Sequence, residues 1–261
     1  MKIYEYYRDT ANLHLNGSIA ALFPAILIIS GNISLFQIKG IMLLSIPFLA
    51  YSLLSFQLSL FKLKKSITIN RNMSVSDCFY KSIFEANSLI VVFLNSYSFR
   101  LLLYFPDGNK AGEIRKYNRK KLFGRDNTKS YALYNSHNHV VGFFRVTVNK
   151  KITIEVYDTD NKYLGCYEKK KIKGLESRKK LLDASGKFIG AVEGATLFMD
   201  EHIYDPKRQL VGRLRRGWMP YGWGKLFPEP NTPIISFTDK VSEKEKLLRL
   251  SLLINEYFVE R

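Results

Sequence analysis

The chain has 261 residues, room for one large domain or for a smaller domain with an appendage. Lys and Arg outnumber Asp and Glu by 40 to 23, a net charge of +17, which draws a protein toward anionic surfaces without choosing between phospholipid headgroups and nucleic acid. Its two cysteines, Cys78 and Cys166, argue against a disulfide framework and suit a reducing compartment.

Residues 10–38 carry no formally charged side chain, and residues 40–61 form a second uncharged run. A bilayer core of ~30 Å needs about 20 mainly apolar helical residues, a length the second run meets. The first run meets it when polar residues 16–18 and 32–34 lie near the interfaces. Pro24 and Pro47 would break soluble helices but are tolerated in membrane helices. Gly31-Asn32 offers a turn between the two spans. Lys2 and Arg8 precede the first run, Lys39 stands in the connection, and Lys62, Lys64, Lys65 and Arg71 crowd the exit of the second. Lys62, Lys64 and Lys65 are expected at the membrane interface. The excess of Lys and Arg outside the connection places both termini in the cytoplasm and the C-terminal domain at the inner face of the cell membrane. The alternatives are buried helices of a soluble domain, or a cleaved secretory signal, which a second span following at once argues against. The break in composition near Lys62 divides the chain into an anchoring hairpin (1–65), a linker (66–87) and a C-terminal domain (88–261).

Residues 88–105, SLIVVFLNSYSFRLLLYF, read as two strands turning at 96–98. As a third span they would bury Arg100 in hydrocarbon, at a high cost.

From residue 104 onward one phrase recurs: YFPDGNKAGEI, YNSHNHVVGFF, YDTDNKYLGCY, LDASGKFIGAV and YDPKRQLVGRL. Each copy has a turn-opening residue (Phe105, Asn135, Asp158, Asp183, Asp205) and, seven positions on, a glycine (Gly112, Gly142, Gly165, Gly190, Gly212). Asn and Asp open turns by accepting backbone amides two residues on. Each copy therefore predicts a β-hairpin, and the series predicts an antiparallel meander. The glycine inside the second strand marks a bulge, a bend or the close approach of another backbone or core side chain. Its repetition predicts a common curvature, as barrel closure requires.

Three of the second strands end in positive charge. The candidates for lipid or anion binding are Arg115, Lys116, Lys120 and Lys121; Lys169, Lys170 and Lys171; and Arg213, Arg215 and Arg216. Stacked in register, these ends gather on one rim, where anionic lipid would be attracted. The plainer alternative is a set of solvated hairpin ends. Residues 217–227, GWMPYGWGKLF, place Trp218, Tyr221, Trp223 and Phe227 among glycines. Trp218 and Trp223 are candidates for the headgroup boundary, the alternative being a loop folded over the barrel mouth.

Ser242 and Glu245 form a capping box that opens a predicted helix over 242–260. Leu247, Leu248, Leu250, Leu252, Leu253, Ile254, Tyr257, Phe258 and Val259 surround nearly all of it. Such a helix is buried, and this one is too short to cross a membrane. The inside of a barrel is the simplest place for it; the outside of a sheet or a membrane surface is the alternative. The expected fold is mainly β, a closed antiparallel barrel of about twelve strands around a hydrophobic C-terminal helix, preceded by an N-terminal transmembrane helical hairpin.

Hairpins of the pattern D-x-x-x-x-x-x-G, the strand IISFT (234–238) and a hydrophobic closing helix together resemble the tubby C-terminal-like superfamily, which includes tubby proteins, plant LURP-one-related proteins and phospholipid scramblases. The resemblance covers residues 88–261 and is to a membrane-anchored member of bacterial type. It implies a barrel threaded by its C-terminal helix, and it implies no enzyme. Tubby domains bind phosphoinositide headgroups and scramblases act at bilayers. Their lipid- and metal-binding motifs do not map residue by residue onto this chain, so no lipid specificity carries over.

Nothing in the sequence assembles a catalytic constellation. His137 and His139 would share a face on a strand, but they fall in a predicted turn and lack a third ligand at familiar spacing, so no metal is expected. Asp158 and Asp160 fit turn chemistry better than a calcium loop, and Cys166 reads as a small packed residue. There is no phosphate-binding loop motif, no paired carboxylates and no nucleophile–base pair. The expectation is a non-enzymatic, cofactor-free, membrane-anchored protein that binds anionic phospholipid or a protein partner at the inner membrane face. The alternatives are a basic barrel that binds nucleic acid, with the tryptophan loop stacking on bases, and a scramblase-like lipid transporter.

Overall fold

A computed structural model describes residues 1–36, 38–73, 82–94, 99–117, 128–171, 177–195, 199–239 and 241–260. The chain forms two compact units, Met1–Ser76 and Asp77–Arg261.

The first unit is a pair of long helices, α1 (Ile3–Gly31) and α3 (Ile46–Met73), joined through a π turn (Asn32–Phe36), a short helix α2 (Lys39–Met42) and a 3-10 turn (Leu43–Ser45). The chain does not reverse at Gly31-Asn32 as expected. The helical path continues to Phe36, and the Asn32 carboxamide oxygen accepts the Ile38 amide (3.1 Å) to hold the reversal. Pro24 lies inside α1, whereas Pro47 falls in the first turn of α3, where a missing amide proton costs little. The helix also runs past the expected boundary at residue 65, so Lys62, Lys64 and Lys65 sit within α3. The helices are antiparallel: the Ser18 and Ser52 hydroxyls meet at 3.0 Å, and Ser66 donates to the Tyr4 carbonyl (2.8 Å). In the middle of the pair the buried face is made of small residues, Ala11, Ser18, Ala21 and Ala25 of α1 and Ser52, Ser55 and Ser59 of α3, while toward the termini Ile3, Tyr7, Ile69 and Met73 are buried. Large apolar side chains such as Phe23, Leu27, Leu53 and Leu54 point outward. Both helices are long and apolar enough to cross a membrane.

The second unit is a closed antiparallel barrel of twelve strands, β1 (Ser88–Leu94), β2 (Arg100–Tyr104), β3 (Lys110–Lys116), β4 (Thr128–Asn135), β5 (Val140–Val148), β6 (Lys151–Tyr157), β7 (Tyr163–Lys171), β8 (Ser177–Asp183), β9 (Phe188–Ala195), β10 (Asp200–Tyr204), β11 (Leu210–Arg215) and β12 (Ile234–Phe237). Neighbours in sequence are neighbours in the sheet, and β1 closes the ring by pairing β12, with Leu89 opposite Ile235. Residues 88–94 and 100–104 thus form two strands, with Arg100 opening β2 opposite Leu94, and the expected turn at 96–98 lies outside the described residues.

The repeated phrase folds the same way each time. In β2–β3, β4–β5, β6–β7, β8–β9 and β10–β11 the turn-opening residue's amide donates to the carbonyl four residues on, at 2.9–3.0 Å. The amide three residues on donates back to the opener's carbonyl, as in Asn138 to Asn135 (3.0 Å). That donating residue always has positive φ: Gly108 84°, Asn138 64°, Asn161 59°, Gly186 82°, Arg208 60°. This is a type I turn followed by a left-handed residue, whose twist matches the flanking strands. The Asx side chains reinforce it, with Asp158 Oδ1 accepting the Asp160 and Lys162 amides (3.0 and 2.8 Å). At the repeat glycine the backbone of the neighbouring strand comes close. A Cβ at Gly112, Gly142, Gly165 or Gly190 would press on the carbonyl oxygen of Tyr134, Tyr157, Leu182 or Tyr204, in each case the residue just before the next turn-opener.

The interior is filled by the C-terminal segment. The Ser242–Glu245 capping box opens α4 (Glu243–Arg249), followed by α5 (Ser251–Ile254) and a π turn (Asn255–Val259). Leu250 is 1% exposed and Ile254 0%, and Leu247, Leu248, Leu252, Leu253 and Tyr257 are buried with them among inward residues of the wall such as Leu101, Leu133, Ile154 and Leu214. Each buried aliphatic contributes roughly 1.5–3 kcal/mol. Lys246, at the entry, donates to the carbonyls of Phe84 and Ala86 (2.6 and 3.3 Å) and ties the helix to the segment leading into β1.

Candidate functional site

β3, β7 and β11 run in the same direction, so their C-terminal ends lie at one end of the barrel, opposite the five repeated turns. The stacked register brings the expected basic strand ends to that rim. Their side chains then diverge. Lys116, Lys170 and Arg216 are exposed there. Arg215 lies under Trp218, its guanidinium 4.4 Å from the ring centroid, and burial followed by the nearby Arg213 charge lowers its pKa. Lys120 and Lys121 lie outside the described residues, and only the backbone of Lys171 is described.

Three of the candidates depart from the expectation. Lys169 points into the barrel, 5% exposed, and pairs with Glu260. Its strand position alternates with Lys170, so one of the two had to face inward. Arg115 reaches back along the wall, salt-bridged to Glu113 (2.8 Å), stacked on Tyr134 (3.9 Å) and donating to Asn138 of the opposite-end turn (3.0 Å). Arg213 forms a two-pronged pair with Asp200, Nε to Oδ1 and Nη2 to Oδ2, both at 2.7 Å, which holds the Asp200 carboxyl below its usual range.

The tryptophan loop leaves β11 at this same end. Phe227 anchors it, buried and edge-on to Tyr104. A 3-10 turn (Tyr221–Lys225) follows Pro220, leaving Trp218 72% and Tyr221 97% exposed, with Trp223 half-buried. In the helical unit, the Lys62 and Lys65 ammonium groups lie 5.3 and 5.9 Å from the Tyr7 ring, Lys65 also 4.6 Å from that of Phe61, and Lys64 is exposed.

Inside the barrel, toward the end of the C-terminal helix, lies an ionic cluster that sequence reading missed. Lys179 of β8 pairs with Glu201 of β10 and lies 3.5 Å from Glu256; Lys169 of β7 pairs with Glu260. Asn255 donates its side-chain amide to Glu256 (2.8 Å) and Glu260 (3.1 Å). Tyr167 Oη, Glu201 Oε2 and Asn255 Oδ1 are buried without a hydrogen-bond partner. Burial, and next the Glu201 charge, push the Glu256 carboxyl up to about 7 against the opposing pull of Lys179 and Asn255. Burial and the Glu201, Glu256 and Glu260 charges push the Tyr167 hydroxyl well up. The signal in sequence was the presence of Asn255 and Glu256 within the apolar stretch after Ser251.

Other candidates resolve into structural roles. The amides of His137 and His139 donate to Asn135 Oδ1 (3.0 and 2.9 Å), as hairpin turn residues do. Burial raises the pKa of Cys166 and keeps it a thiol. A cleft of about 310 Å³ opens between Tyr117, Ser130, Phe143, Phe144, Arg145, Tyr157 and Asn161. Its cation is held by Glu155 (3.6 Å) and lies 5.2 Å from the Tyr157 ring.

Fold and site define a two-unit protein: an apolar helical pair followed by a closed twelve-stranded barrel with an internal helix. No family model and no curated protein matches the chain. Among solved structures it is similar to an X-ray structure of a protein from Arabidopsis thaliana, with 14% sequence identity, a TM-score of 0.43, and coverage of 67% of this chain and 91% of that one.

Proposed function

We propose that this is a non-enzymatic, membrane-anchored protein of the tubby-like kind, whose barrel meets anionic phospholipid at the cytoplasmic face of the cell membrane. The observation that carries the reading is the rim after β3, β7 and β11, where exposed Lys116, Lys170 and Arg216 accompany exposed Trp218 and Tyr221. Cations near an anionic bilayer contribute about 1 kcal/mol each, and Trp and Tyr favour the headgroup boundary. The helical pair supports anchoring. Its small contact face and outward Phe and Leu suit packing in lipid, where close backbone approach rather than apolar burial joins helices.

Trp218 and Trp223 are the chain's two tryptophans, so intrinsic emission reports on this loop alone. The full chain is reconstituted in nanodiscs of phosphatidylcholine, with or without phosphatidylserine. The reading expects a blue shift and protection from iodide in the anionic discs at low salt, lost in a Lys116→Glu/Lys170→Glu/Arg216→Glu variant. Equal emission in both discs sinks it. A shift produced by single-stranded oligonucleotide, and not by phosphatidylserine, selects nucleic-acid binding instead.

A further inference from the structure

Among the described residues, two ammonium groups and three carboxylates meet at one end of the barrel interior, Glu260 at its exposed edge. Lys169 and Tyr167 come from β7, Lys179 from β8 and Glu201 from β10; Glu256, Glu260 and Asn255 come from the C-terminal segment. The titratable groups that act on Glu256 are Glu201, Lys179 and Glu260, and Tyr167 shares their field; Tyr257, on the segment itself, donates its hydroxyl to the Met199 sulfur (3.4 Å). Glu201 and Glu260 each hold one ammonium group closely. Glu256 has only a shared claim on Lys179 at 3.5 Å and one amide donor, and its side chain is 3% exposed. Among the described residues Glu256 therefore has no close cation of its own at a buried position, where an uncompensated ion is costly. Unpartnered acceptors on Glu201 and Asn255 add to the deficit of protons.

We propose that this cluster is a proton-binding site, with the proton on Glu256, and that its occupancy governs how firmly the end of the C-terminal helix is docked in the barrel. Docking carries Glu256 from water, where its pKa is near 4.5, to a site where it is about 7, so the docked state binds the proton more tightly than the released one. Docking is then favoured fully below about 4.5, weakens as pH rises toward 7 and changes no further above it. The Lys169–Glu260 pair ties the end of the segment to β7.

The test is hydrogen exchange by mass spectrometry on the full chain in detergent, with rates corrected for the intrinsic pH dependence of amide exchange. Between pH 5.5 and 8.5 the peptide covering residues 247–257 is expected to lose protection by roughly thirtyfold, while β4 and β5 keep theirs. Glu256→Gln, which carries the hydrogen permanently, is expected to stay protected at both pH values. Glu260→Gln removes a neighbouring negative charge that raises Glu256 and is expected to move the midpoint to lower pH. A wild-type profile flat across this range, or one unchanged in both variants, overturns the proposal.

Discussion

Gly142 of β5 faces Leu247 of α4: a Cβ on the glycine would lie 2.6 Å from Leu247 Cδ2 and 3.0 Å from the Tyr157 carbonyl oxygen. The repeat glycine thus lets the next strand close in and, here, also makes room for the internal helix. At Gly165 φ is 140° and the obstacle is the Leu182–Asp183 backbone, which cannot rotate away as a leucine can. Gly142→Ala is expected to cost about 1–3 kcal/mol and Gly165→Ala distinctly more. Denaturant unfolding of the two variants checks this, and the reverse order would contradict the assignment of wall and filling.

The left-handed turn position gives a prediction of opposite sign. Arg208 holds φ at 60°, a conformation that costs a residue with a Cβ about 1 kcal/mol and glycine little. Arg208→Gly is expected to raise stability by up to about that amount. Asn135→Ala removes the acceptor shared by the His137 and His139 amides and is expected to cost about 1 kcal/mol, since water can replace part of it. Thermal melts of both variants check the pair of signs.

Leu253 is 0% exposed at the centre of the barrel. Leu253→Ala is expected to cost 2–5 kcal/mol through the cavity it opens, and Leu253→Met less than about 1.5 kcal/mol because volume is kept. Small and equal losses would place the helix outside the closed wall.

Lys and Arg flank the two apolar helices on the side of both termini, which predicts a cytoplasmic barrel. Protease added to intact cells is expected to leave the C-terminal unit whole and to cut it only once the cells are opened. Cleavage in intact cells would reverse the orientation and remove the inner-face lipids from the list of partners.

Much of the wall was legible because hairpins are local. Asp158, Asp183 and Asp205 place an acceptor next to the amides that need it, and the glycine seven positions on lies across the same ladder. The fate of the lysines was not legible. Within Lys169–Lys170 neighbours face opposite sides of the wall, and which one turns inward depends on register shifts such as that between Val156 and Tyr157. The reach of Arg115 to Asn138 likewise needs β3 and β4 side by side.

By itself the sequence settled what depends on near neighbours: two long uncharged runs of helix, a meander of like hairpins, and a final helix too apolar on too many sides to meet water. Tertiary structure alone decided which charges are paid with partners and which face out. Lys179 finds Glu201 and Glu256 across the barrel only after the sheet has closed, and ion pairing in a dry interior depends on that distance in space rather than on separation along the chain.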